Sequence, residues 1–220
     1  IPFSRMGKVA ADVIKIGIAP FGLAMSPNIS LILINRFSVS YGGDSAIATY
    51  ACIAYVICII YLILQGVGDG CQPLLSQCYG EKNWVNLKST RRLAYGFAFA
   101  LSVIGCIILY LTKGSLGVLF GASSEVNLEI ARIMPIFLVS VPFVAILRIT
   151  TASFYATEKS VYSYVLTFIE PIFMLVLMLI LPPLFGGQVM IWWSTVWARI
   201  LAAVLALLLK QRVDRQEMAT

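Results

Sequence analysis

Three ionisable residues interrupt long apolar runs in this sequence: Arg148, Glu170 and Arg199. Glu170 follows Lys159 by 11 positions, Arg148 precedes it by 11, and Arg199 precedes Lys210 by 11. At ~1.5 Å rise per residue, each sits roughly 16 Å from the nearest polar boundary, close to the middle of a bilayer. A charge at that depth costs at least ~2.5–3.5 kcal/mol on insertion scales, so it faces protein or water and serves a purpose. Glu170 and Arg199 fall on consecutive, antiparallel segments, which makes an ion pair between them one expectation. The other is a polar cavity wall, where Glu170 would bind a proton or a cation.

Neighbouring residues extend this polar face. Ser163, Thr167, Glu170, Met174 and Met178 recur at spacings of three and four, one stripe along a helix. Arg148, Thr151 and Tyr155 share a second face, and Asn28 and Asn35, seven apart, share a third. The candidate cleft therefore comprises Asn28, Asn35, Arg148, Thr151, Thr167, Glu170 and Met174, with Glu170 as the candidate ion-coupling group.

Composition excludes several other chemistries. Of 220 residues, 60% are hydrophobic and 12% charged, and the mean hydropathy is +0.92. Soluble domains are nearer 45–50% apolar and about 25% charged, so the chain belongs in a membrane. It has no histidine, the usual metal ligand and neutral-pH proton switch. Cys52, Cys58, Cys71, Cys78 and Cys106 form no CxxC pair, and they read as small apolar packing residues. Intramembrane enzymes need paired acids, histidine clusters or an activated nucleophile. None is legible, so neither an enzyme nor a cofactor is expected.

The positioning elements are six apolar segments, near 14–39, 46–68, 92–112, 131–156, 161–184 and 189–209. Each approaches the ~20 residues a crossing helix needs, and unpaired backbone groups in lipid exclude open strands. The expected fold is an all-α, six-helix membrane bundle with both ends on one side. The side bearing the ends collects Arg5, Lys8, Lys15, Lys82, Lys88, Arg91, Arg92, Lys159, Lys210, Arg212 and Arg215, against Arg36, Lys113 and Arg132 opposite. That asymmetry puts both ends in the cytoplasm. Residues 1–13 then read as a cytoplasmic linker and 210–220 as a cytoplasmic tail. Trp192, Trp193 and Trp197 in WWSTVW fit an interfacial belt. The stretch 113–130 is expected to hold a short amphipathic turn. Pro20, Pro27, Pro135, Pro142 and Pro171 fall inside helices, and Pro142 leaves the Leu138 carbonyl without its usual partner.

Two motifs carry a resemblance. YGGDSAIATY at 41–50 and GVGDGCQPLLSQCYGEKN at 66–83 are similar to stretches of the multidrug and toxic-compound extrusion family, within the multidrug, oligosaccharide-lipid and polysaccharide exporters. The Gly-Gly-Asp turn is Gly42, Gly43 and Asp44, with Asp44 or Ser45 as an expected N-cap. The Gly-x-x-x-Gly-x-Gln-Pro element is Gly66, Gly70, Gln72 and Pro73, followed by Tyr79 and Gly80. The resemblance implies twelve helices in two six-helix lobes, with substrate between them. This chain resembles the C-terminal lobe, and its start at Ile1 agrees with a longer protein that supplies an N-terminal lobe as partner. Gly66, Gly70, Gln72, Pro73, Tyr79 and Gly80 are then expected to end the second helix at an inner gate and turn.

The implied activity is alternating-access export of amphiphilic, often cationic drugs from the plasma membrane, driven by protons or sodium. The coupling carboxylate would be Glu170 or a residue of the other lobe, because 14–39 and 131–156 contain no acidic residue. Arg148 and Arg199 keep a lipid-linked oligosaccharide or polysaccharide flippase of the same superfold in view. A non-transporting membrane scaffold is the third alternative.

Overall fold

The computed structural model describes residues 3–217. Among these, every element is an α-helix: α1 (Phe3–Gly80), α2 (Trp84–Thr112), the short α3 (Leu116–Leu119), α4 (Ser124–Ala156), α5 (Ser160–Phe185) and α6 (Gln188–Glu217). The expected all-helical bundle is present, and α3 occupies the stretch expected to hold a short turn. All except α3 are long and apolar enough to cross a membrane.

One helical element holds the first two expected crossings. Its apolar part, Ala24–Gly80, has 57 residues, roughly 86 Å of helix at 1.5 Å per residue, far beyond one bilayer. The chain breaks at Gly43, where φ is 63° and ψ is −160°, a region open essentially to glycine alone. Residues on both sides of the break reach α6. Ser38 accepts a hydrogen bond from Gln188 at 2.9 Å, and Tyr50 stacks on Trp192 with ring centroids 5.5 Å apart. The limbs 3–42 and 44–80 are thus separate crossings. Asp44 and Ser45, expected as an N-cap, lie exposed just beyond the break.

The helices overrun their expected ends. Residues 3–13, read as a linker, are the first turns of α1, and α6 continues through most of the expected tail; Ile1, Pro2 and 218–220 lie outside the described residues. The expected turn at Gly66, Gly70, Gln72 and Pro73 requires correction. The helix runs through all four, and through Tyr79, to Gly80, with the turn confined to residues 81–83. Proline removes one donor, but a helix spans that loss where neighbours or water meet the freed carbonyl. Gly66 and Gly70 have open space where a Cβ would stand; Gly68 is the close-packed one, its Cβ position 3.3 Å from Ala152 Cβ on α4.

Helix α4 packs against α1, α2, α5 and α6, and its small and aliphatic residues fill the core. The carbonyl freed by Pro142 does find a partner, since Cys106 Sγ on α2 donates to Leu138 O at 3.5 Å. Trp192 departs from the interfacial belt: it is 1% exposed and packs between Tyr50 and Phe137, with centroids 5.5 Å and 5.6 Å away. Three aromatic faces meeting there bury more apolar area than one indole could cover at a lipid boundary. Trp197, by contrast, is exposed. At the other end, Arg91 of α2 pairs with Asp214 of α6, which also takes Lys210 at 3.3 Å.

The glycines at the break have distinct duties. A Cβ on Gly42 would stand 2.5 Å from Ala46 Cβ and 2.7 Å from Gln188 Oε1, whereas Gly43 needs its positive φ. Gly43→Ala and Gly42→Ala are each expected to lower stability by about 1–3 kcal/mol, while Gly66→Ala is neutral or slightly stabilising. Thermal unfolding of the detergent-solubilised protein checks this contrast.

Candidate functional site

Four helices converge on Arg199. Its Nε donates to Glu170 Oε1 of α5 at 3.2 Å, and its Nη1 donates to Ser140 Oγ of α4 at 3.2 Å. The ring of Tyr61, on the second limb of α1, lies 5.2 Å from the guanidinium carbon, within cation–π range. Ser140 is free to accept because its own proton goes to Phe137 O at 2.7 Å. The side chains of Arg199 and Glu170 are 8% and 13% exposed. Pairing cancels both charges where neither could be solvated cheaply.

Two cavities open nearby, and the pair lines one of them. The larger, about 490 Å³, lies between both limbs of α1 and the pair, with Asn28, Asn35, Tyr50, Tyr61, Glu170 and Arg199 on its wall. The smaller, about 430 Å³, takes Gln65, Asp69, Gln72, Thr151 and Tyr155. Pro27, Cys58, Tyr61 and Arg148 border both. Arg148 differs from Arg199 in having a buried Nε with no hydrogen-bond partner.

The structure thus brings Asn28, Asn35, Arg148 and Glu170 to one cavity and Arg148 and Thr151 to the other. Thr167 and Met174 line neither. Thr167 is buried and donates to Ser163 O at 2.9 Å, and Met174 is fully buried in the core. Of the polar motif, Gln72 reaches the smaller cavity, whereas Gly66, Gly70, Pro73, Tyr79 and Gly80 border neither cavity. Gly42, Gly43 and Asp44 belong to the break between limbs.

Sequence reasoning passed over Cys58, Tyr61, Gln65 and Asp69. Their signal was available, because positions 58, 61, 65, 69 and 72 recur at helical spacing. Asp69 lies within the stretch 66–73 expected to end the second helix, but the helix continues past it, and its carboxylate accepts from Gln65 at 2.8 Å. Among the described residues, no group of three or more metal-ligating side chains comes together.

The MatE family model matches residues 20–180. This chain belongs to the MatE family. Several solved structures share its fold. One is an outward-facing multidrug resistance MATE family transporter of the MOP superfamily, 16% identical, with a TM-score of 0.88 over 97% of this chain and 48% of that one. Its inward-facing counterpart gives 0.84 at 16% identity, over 97% and 50%. A MOP superfamily transporter from Pyrococcus furiosus, whose reverse pocket polarity suggests a different function, gives 0.88 at 17% identity, over 97% and 48%. A search of curated proteins finds no match. The MatE chain spans about half the length of these solved chains, and the family consists of membrane transporters rather than enzymes.

The ion pair generates a stability test for this MatE protein. Glu170→Gln leaves the Arg199 charge buried with no anion, beside Ser140 and the Tyr61 ring, and is expected to cost on the order of 3 kcal/mol. The double variant Glu170→Gln/Arg199→Gln is expected to recover most of that loss. A thermal-unfolding cycle of single and double variants measures it; additive losses would show that the two side chains act independently.

Proposed function

We propose that this chain forms one lobe of an ion-coupled exporter of amphiphilic compounds, and that the two cavities bordered by Arg148, one of them lined by Glu170 and Arg199, are its half of the substrate cleft. The observation that supports this most is the 490 Å³ cavity at membrane depth, whose wall combines asparagines, aromatic rings and ionisable groups. Such a mixture suits an apolar body with polar substituents. The half-length match supports a partner lobe of similar size; the motif resemblance puts it on the N-terminal side, and the Lys/Arg asymmetry supports both ends of this segment lying in the cytoplasm of a plasma-membrane protein. Rocking of the two lobes would expose the cleft alternately to each side.

Coupling follows from linkage. A proton or sodium ion that favours one state, and a substrate that favours the other, drive each other across. Glu170 is one candidate carboxylate for that ion and Asp69, on the smaller cavity, is a second; the partner lobe is the remaining source. No cofactor beyond the ion is part of this scheme. Arg148 and Arg199 favour a second reading, flipping of a lipid-linked oligosaccharide or polysaccharide with a phosphate to grip.

Efflux of fluorescent amphiphilic dyes from cells expressing the full-length protein tests the first reading, with and without sodium and with a protonophore. The expected outcome is efflux that collapses when one of the two gradients is removed. No efflux under either gradient, with the protein shown in the membrane, would move the assignment to the lipid flippase.

A further inference from the structure

We infer that Arg148 is an anion-recognition residue of this cleft, so that the compounds it accepts carry an acidic oxyanion group on an apolar body. The inference rests on the cavities being the substrate cleft. The two deep arginines are in opposite situations. Arg199 is satisfied by Glu170, Ser140 and the Tyr61 ring. Arg148 has no ion pair or hydrogen bond among the described residues, and its Nε is buried. Yet it borders both cavities. A guanidinium held at membrane depth without an anion is costly, and a ligand oxyanion would supply the missing partner.

The surrounding charge points the same way. The larger cavity holds two guanidinium groups and one carboxylate, Arg148, Arg199 and Glu170, which leaves one positive charge uncompensated. Glu170 is already engaged by Arg199, so a cationic compound entering there meets Arg148 with no free carboxylate to offset it. Asp69 shares the smaller cavity with Arg148 but bonds Gln65 instead. The planar guanidinium fork matches carboxylate, sulfonate or phosphate. Pro27 and Tyr61, which border both cavities with it, give the apolar body a surface to lie on.

Cys58 supplies the reporter, since it is exposed and lines both cavities. The experiment follows maleimide modification of Cys58 by peptide mass spectrometry on the detergent-solubilised full-length protein. Two probes of nearly equal shape are compared: 8-anilinonaphthalene-1-sulfonate and the uncharged N-phenyl-1-naphthylamine. A third arm uses dioctanoyl phosphatidic acid. The sulfonate is expected to slow modification at lower concentration than its uncharged analogue. In Arg148→Gln its half-protecting concentration should rise about tenfold, as for loss of one charge-assisted contact, with the analogue unaffected. Arg148→Lys should restore much of the difference. Protection by the sulfonate identifies a small acidic amphiphile, and protection by phosphatidic acid alone identifies a lipid phosphate. The uncharged analogue protecting as well as both acids, equal protection in Arg148→Gln, or no protection by either acid would overturn the proposal. Variants are compared only where the unliganded Cys58 rate matches the parent, which separates misfolding from lost recognition. No gradient is present, so a failure of ion-coupled export leaves this result standing, and the reverse also holds.

Discussion

The fold is organised around a charge that cannot be left alone. Arg199 lies at membrane depth on α6 and is almost wholly removed from solvent, where an unpaired guanidinium is among the most expensive groups to accommodate. Its partners come from α5, α4 and the second limb of α1. Lipid supplies no hydrophobic drive to bring helices together, so packing and polar contacts do that work. A donor with five N–H groups that needs partners from three other helices fixes their depth relative to one another. The aromatic cluster of Tyr50, Phe137 and Trp192 ties three of the same helices, α1, α4 and α6, by area instead of charge.

Close packing elsewhere follows from residues that are small rather than polar. Gly68 lets α1 lie against Ala152, and Ser76 donates to the Ala156 carbonyl at 3.1 Å a little further along. Cys106 meets the carbonyl freed by Pro142. Helix breakers therefore do not break these helices. Each loses one internal hydrogen bond, and the loss is absorbed wherever a neighbour stands within reach. Gly43 is the exception because its φ and ψ, rather than a missing donor, interrupt the helix.

The cavities occupy what this packing leaves open. Their walls are mainly apolar, and their polar groups are few and differ in character. Glu170 and Arg199 pair with each other, Asp69 accepts a hydrogen bond from the neutral amide of Gln65, and Arg148 has neither an ion pair nor a hydrogen bond among the described residues.

Much of the fold was legible in the sequence. Six apolar runs of crossing length and the polar interruption at Gly42 and Gly43 mark a helical membrane bundle, and the motif pair at 41–50 and 66–83 carries the family resemblance. Hydrophobic length and local chemistry are properties of contiguous residues, so sequence carries them. Part of the site was also visible: depth alone singled out Arg148, Glu170 and Arg199, because a buried charge is conspicuous against an apolar run. Which arginine pairs with Glu170, however, was decided only by tertiary structure. Both sit at similar depth, and only the rotation of α4 and α6 about their axes separates them. The rotations of the other helices likewise send Thr167 and Met174 of α5 into the core and Tyr61 and Asp69 of α1 to a cavity, while that of α6 takes Trp192 from an expected lipid boundary to the centre of the bundle. Periodicity states which residues share a face; only the packing of other helices determines what that face meets.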